Sequence, residues 1–405
     1  MKDRILKYKG VFIFSVFKYI EIILTSLTTF LLAKKLGPFE LGKAMPILLY
    51  ITYANYLALG LNQVVTKNYS RISDEKKVPF ISLNLQYILL ISIVNIILSF
   101  VILDVNYALL AGLISILTIL RGFFFSYYRS IDRIRILNYN NIVFSFLLLS
   151  IVYLFISELE SYLITWCIGL FLACLHLFFR DIEFFKLVSK GLIRMPKKSD
   201  IIFNFSEGIK LALAGFVTTI FVTSDRFIVN SLNLETNIKG SYQLADYCGM
   251  AVYMISTTIV FYYYPKWINE IRNSPSFRQK YLKIIGLLYI LYPFILFLFY
   301  GIGYFIIPLI FPEYNNLLST SLTVVFAKLA VVSIGFISLY FIGLDKENEY
   351  LKVCLIPIIL IIVFGLFVKL NNFNYTLLIP IVTGSILYVT SAFLIFYLKR
   401  FTEVF

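Results

Sequence analysis

Ten ionisable side chains stand in or beside long apolar runs: Lys18, Glu21, Arg121, Glu207, Lys210, Asp225, Arg226, Asp246, Lys328 and Lys352. At the centre of a membrane span such a group costs about 2.5–3.5 kcal/mol on insertion scales, so each needs a reason to be there. Arg121, Asp225, Arg226 and Lys352 lie near enough to span ends for their heads to reach the interface. Lys18–Glu21 and Glu207–Lys210 are spaced i,i+3, which lets each pair neutralise itself on one helix face. Arg121 and Lys328 have no acid within one helical turn, which favours a place in a wet cavity. Glu21, Glu207 and Asp246 are the candidate coupling or pairing acids.

Other polar residues share faces with these charges. Lys18, Glu21, Thr25, Thr28 and Thr29 fall within about a 100° arc of one helix. Asn55, Asn62 and Thr66 share a face, as do Glu207, Lys210, Thr218 and Asp225. Tyr242, Asp246, Gly249, Tyr253 and Thr257 form another stripe, and Ser321, Lys328 and Gly335 a fifth. Such stripes avoid lipid and belong on a water-filled cavity, here expected between two halves of the chain. Tyr53, Tyr242 and Tyr253 have the ring faces to stack on sugars. No nucleotide-binding loop, metal motif or nucleophile arrangement occurs. The lone His176 has no partner at metal-ligand spacing, and the four cysteines (Cys167, Cys174, Cys248, Cys354) all sit in apolar runs without a C-x-x-C pair.

The elements that must position these residues are membrane spans. Hydrophobic residues make up 60% of the 405 residues and charged ones 14%, against about 25% charged in a soluble domain. Apolar runs of span length occupy about 11–33, 44–66, 80–103, 107–127, 138–156, 162–179, 204–228, 241–264, 284–306, 317–342, 350–368 and 376–398. The first run is too long and too polar for a cleaved signal peptide. Lys and Arg alternate across the connections: 25 fall on one side and 5 on the other, the remaining 6 of 36 lying inside the runs. The positive-inside rule makes the richer side cytoplasmic, so both termini are expected there. The formal net charge of +14 is thus directed at the inner leaflet and its anionic lipids, with no nucleic acid implied.

The connection 180–203 is basic and partly amphipathic, which predicts an interfacial helix. It divides the chain into 1–179 and 204–405, six spans each. Both halves carry a Thr-Thr pair in their first span, then a charged loop and a Gly that opens the next span (Gly42, Gly240). The expected fold class is an all-α polytopic membrane protein. Its twelve transmembrane helices form two six-helix lobes, related by a pseudo-two-fold along the membrane normal.

Three stretches resemble the bacterial lipid-linked oligosaccharide flippases of the multidrug/oligosaccharidyl-lipid/polysaccharide exporter superfamily. LAKKLGPFELGKAMPI (32–47) is similar to the family's R-x-L-G-P-x-x-x-G connection. YYRSIDRIRILNYNNIV (127–143), with Arg129 and Arg133, resembles its basic loop. TSDRFIVNSLNLETNIKGSYQLAD (223–246), with Asp225 and Arg226, resembles the Asp-Arg end of its seventh span. The Lys34–Lys35 pair, and Lys43 where a Tyr is usual, depart from the pattern. The resemblance implies two lobes opening alternately to either side, and no cofactor. It implies flipping of undecaprenyl-pyrophosphate-linked oligosaccharide repeat units (O-antigen or capsule), with membrane lipids and other polysaccharide-assembly proteins as partners. Lys18, Arg121, Lys210 and Lys328 would then face the pyrophosphate, and Asn55, Asn62, Tyr242 and Tyr253 the sugars. A cation- or proton-coupled drug antiporter of the same fold is the alternative. A membrane polysaccharide polymerase, an enzyme, is disfavoured because the outer connections are too short to form a catalytic domain.

Overall fold

The computed structural model describes residues 2–69, 72–181, 186, 198–344, 346–371 and 375–403. Among these the long elements are all α-helices and no strand occurs. In chain order they are α1 (Lys2–Ala54), α2 (Leu61–Asn68), α3 (Asp74–Ile102), α4 (Val105–Ser130), α5 (Ile134–Phe155) and α6 (Leu159–Phe179). There follow α7 (Lys198–Ser231), α8 (Thr236–Asn273), α9 (Pro275–Ile310), α10 (Leu317–Gly343), α11 (Glu347–Leu370) and α12 (Leu378–Glu403). Among the described residues ten helices are long and apolar enough to cross a membrane. α1 is one of the ten although it is broken in the middle, and α8, not among them, has the length to cross at 38 residues. Each expected span but 44–66 lies in a single helix, and the chain is a multi-pass membrane protein. The expected interfacial helix in 180–203 falls largely outside the described residues.

By contacts the chain forms two compact units, one of Met1–Met45 with Val217–Phe405, the other of Pro46–Phe216. In the second, the inner core joins α2, α3, α4 and α6 around Tyr69, Phe80, Phe123, Phe124, Tyr127 and Tyr128. Tyr128 has no exposed surface and donates to the Leu177 carbonyl at 2.6 Å. Tyr50 donates to Asn95, whose amide in turn donates to the Gly112 carbonyl at 3.2 Å. In the first unit α10 is the axis. Its apolar residues lie on all sides, the pattern of a helix enclosed by others, and most of its residues, Lys328 among them, are buried. Tyr281 donates to the Phe336 carbonyl at 3.0 Å, and Tyr292 meets Ser333 at 2.6 Å. α3, α9 and α11 instead expose rows of Ile, Leu, Val and Phe, such as Ile93, Ile97 and Val101 on α3 and Leu355, Ile356 and Ile359 on α11. These rows suit hydrocarbon and not water.

Two breaks shape the first spans. Gly37 takes φ 69°, a left-handed value that a Cβ disfavours, and Pro38 after it removes a helical N–H. α1 is thereby two arms. Gly42, beyond the break, lies so close to Thr236 that a Cβ would overlap its carbonyl, and Gly240 stands in the same relation to the Pro38 carbonyl. The two glycines singled out as matching positions of the two halves thus form one reciprocal backbone contact. The second break interrupts the expected span 44–66. A 3₁₀ turn at Asn55–Ala58 is followed by Leu59 (φ 46°) and Gly60 (φ 72°) before α2 begins. The shared face expected for Asn55, Asn62 and Thr66 assumed a continuous helix, and this break removes it.

Candidate functional site: a buried charge network

Asp225 and Arg226 lie near the C-terminal end of α7. After a four-residue connection α8 starts, and Tyr242 and Asp246, one turn apart, face back towards them. α10 contributes Lys328. Its Nζ lies 2.8 Å from Asp246 Oδ1, 3.0 and 3.3 Å from the two carboxylate oxygens of Asp225, and it also donates to the Val222 carbonyl. Arg226 Nη1 donates to Asp246 Oδ2 at 3.1 Å, and the Tyr242 hydroxyl to Asp225 Oδ2 at 3.0 Å. Relative exposures are 0% for Lys328, 1% for Asp225, 2% for Asp246 and 7% for Arg226. Two cations and two carboxylates cancel, which is what allows so many charges to be buried, because an unpaired one would cost several kcal/mol.

Three expectations are corrected here. Lys328 is not an unpartnered cavity cation; its acids lie on other helices, Asp225 being 103 residues away, beyond a search within one turn. Asp225 and Arg226 do not reach out to the interface but turn into the protein. Tyr242 is 1% exposed and donates its hydroxyl internally, so its ring is not offered to a sugar.

The other charges are arranged differently. Lys18 Nζ bonds both Glu21 oxygens at 3.0 Å, the expected i,i+3 pair. Glu207 does not pair with Lys210. It accepts from Lys67 Nζ and Asn68 Nδ2, each at 2.6 Å. α2 and α7 come close enough for this where Gly60 and Gly208 touch; a Cβ at Gly208 would lie 2.5 Å from the Leu59 carbonyl oxygen. Lys210 is exposed. Exchanging Glu207 and Lys210 should therefore bring a second ammonium up against that of Lys67 and lower stability. Exchanging Lys67 and Glu207 should keep the melting temperature within about 3 °C of the parent, since a half-exposed pair is worth about 1 kcal/mol or less.

Arg121 is gripped without a carboxylate among its described bonds. Its Nε and Nη2 donate to Asn140 Oδ1 at 3.2 and 3.0 Å, and Nη2 to Asn141 Oδ1 at 2.9 Å. The guanidinium lies over Phe125 and Phe144, 4.9 and 4.3 Å from their centroids, a cation–π arrangement. Asn140 also bonds the Ala173 carbonyl and meets His176 Nδ1 at 3.1 Å, so His176 belongs to this polar cluster and is not simply packing. Asn140 and Asn141 carry no sequence signal of this role, because they stand on the next helix, 19 and 20 residues from Arg121. Asn55 donates to the Ile51 carbonyl and Asn62 to the Ile119 carbonyl. Tyr53 packs edge-on against Phe216, and Tyr253 is partly buried. Arg129 is exposed at the end of α4, and Arg133 pairs with Asp181. Among the described residues no three His, Cys, Asp or Glu gather where a metal ion could be held.

No family model matches the sequence, and no curated protein matches it. Solved structures do match the fold. One is the inward-facing conformation of a multidrug resistance MATE family transporter of the MOP superfamily, with TM-score 0.71, 12% identity, and 95% of this chain and 99% of that one covered. An outward-facing conformation of such a transporter gives TM-score 0.63 at 14% identity over 97% and 96%. A eukaryotic MATE transporter gives 0.57 at 15% over 96% and 93%. The fold is therefore MATE-like, in agreement with the twelve-helix, two-lobe layout expected.

Proposed function

We propose that this chain is a transporter working by alternating access, and that its substrate is an amphipathic anion: an oligosaccharide on an undecaprenyl pyrophosphate, carried from the inner to the outer leaflet. The fold shared with transporters captured facing either side supports the first half of the reading. One observation carries the second. Each acid singled out inside the spans is held by this chain's own donors: Glu21 by Lys18, Glu207 by Lys67 and Asn68, and Asp225 and Asp246 by Lys328 and Arg226. Carboxylates so engaged are poor sites for a cationic drug or a coupling ion, whereas the exposed Lys210 can be reached by an anion and the half-buried Lys18 would exchange Glu21 for one. Lys328 is not part of this proposal. Moving two negative charges outward down an inside-negative potential is favourable by about 4–5 kcal/mol per 100 mV, enough to drive the step without a coupled ion. Cytoplasmic termini belong to the same proposal, as do lobes at 1–179 and 204–405, a division by sequence that differs from the compact units in where Met1–Met45 falls.

The drug antiporter is the second reading, favoured by the multidrug transporters among the structural neighbours. Purified protein in liposomes separates the two. A fluorescent polyprenyl-diphosphate saccharide should cross under an inside-negative potential alone, about tenfold more slowly when Lys18 and Lys210 are both Ala, the loss of about 1.4 kcal/mol of transition-state binding. Proton- or sodium-driven uptake of a cationic dye, with no movement of the saccharide, would establish the antiporter instead.

A further inference from the structure

The surroundings of the Lys328 ammonium are those of a bound cation. Four oxygens converge on it: both of Asp225, Oδ1 of Asp246 and the Val222 carbonyl. All-oxygen shells with carboxylates and a backbone carbonyl are what hard cations take. Here the cation is tethered. Its stem reaches the shell through a gap at Gly249, where a Cβ would stand 3.0 Å from Lys328 Cγ and 2.8 Å from Val324 Cγ1. The shell and the corridor are independent observations, on different residues, and both are fitted to this lysine.

We propose that α7, α8 and α10 enclose a monovalent-cation site permanently filled by Lys328, so that the protein has no free-ion requirement at this position, and that removing the side chain converts it into a site for sodium or a small alkylammonium. The proposal goes beyond the transport reading, which it supports by explaining how a cycle can run without an ion bound here. Its test is made on purified protein without substrate and so stands or falls separately.

Full-length protein and its Lys328→Ala variant are melted in sodium chloride, methylammonium chloride and choline chloride at equal ionic strength, choline being too large for the shell. The parent should melt at one temperature in all three. Lys328→Ala should melt lower in choline and recover by about 4 °C or more in methylammonium or sodium, the size expected when a ligand stands near a hundredfold above its dissociation constant. Methylammonium restores the lost CH2–NH3+ end and should act at the lower concentration. Lys328→Ala/Asp225→Asn, neutral again, should fold and show no salt preference. If Lys328→Ala accumulates only in cells given methylammonium, the same conclusion holds more strongly; if only the double variant accumulates, whatever cation is supplied, the network is an ordinary ion pair and the proposal falls. A Lys328→Ala protein indifferent to the cation, failure of both variants to fold under every condition, or a sodium-dependent rise in the parent overturns it.

Discussion

Asp246→Ala should nearly abolish folded protein in the membrane. In the parent, Asp246 receives both Lys328 and Arg226; without it two buried cations share the Asp225 carboxylate alone. Breaking a buried pair by removing one partner costs about 3–5 kcal/mol, because the survivor keeps its desolvation penalty. That is a large share of the roughly 5–15 kcal/mol that holds a typical domain together. Asp246→Asn keeps the shape and one acceptor and should fall in between. Removing the acid and the lysine together, in Asp246→Asn/Lys328→Met, should recover part of the loss, since one cation then faces one carboxylate. Fluorescence-detected size-exclusion of a tagged protein and its melting temperature report all three. A double variant no better than Asp246→Ala would mean that geometry, not charge, holds the three helices.

Gly240→Val should be as damaging for a different reason. The new Cβ would overlap the Pro38 carbonyl oxygen, which belongs to backbone and cannot swing aside. α8 must then move away from the second arm of α1, and the reciprocal contact at Gly42 opens with it. Little or no monodisperse protein is expected. Gly286→Ala and Gly301→Ala, where a Cβ meets nothing within 4 Å, should be made at parental levels and gain slightly from the better helix propensity of Ala. Equal yields from all three variants would show that the close approach is not needed.

The division between what the sequence revealed and what it hid follows the range of the interactions. Spans were legible because twenty apolar residues in a row have few other fates, and the positions of Gly42 and Gly240 because their motif repeats. The Lys18–Glu21 pair was legible because both members lie on one turn. Lys328 was misread because charge pairing between helices has no fixed spacing. A count would have helped: Asp225, Asp246, Arg226 and Lys328 balance, and balanced charges in apolar runs seek one another. Glu207 was assigned to Lys210 for want of any sign that Lys67, placed on a cytoplasmic connection, would lie within reach. Nor did periodicity disclose the Leu59–Gly60 break, since a helix and a 3₁₀ turn bury apolar residues with nearly the same rhythm over four positions.

The two compact units are unequal in their order of synthesis. Pro46–Phe216 is one continuous stretch and can close while the remainder is still on the ribosome. The other unit is discontinuous: Met1–Met45 belongs with Val217–Phe405. The contact of Gly42 with Thr236 joins residues 194 positions apart, so the start of the second arm of α1 is made long before its partner exists. At about 5–20 residues per second that delay is on the order of 10–40 s. Throughout it, the Lys18–Glu21 pair stands in the membrane without the helices made later. The first segment made is thus among the last to complete its contacts.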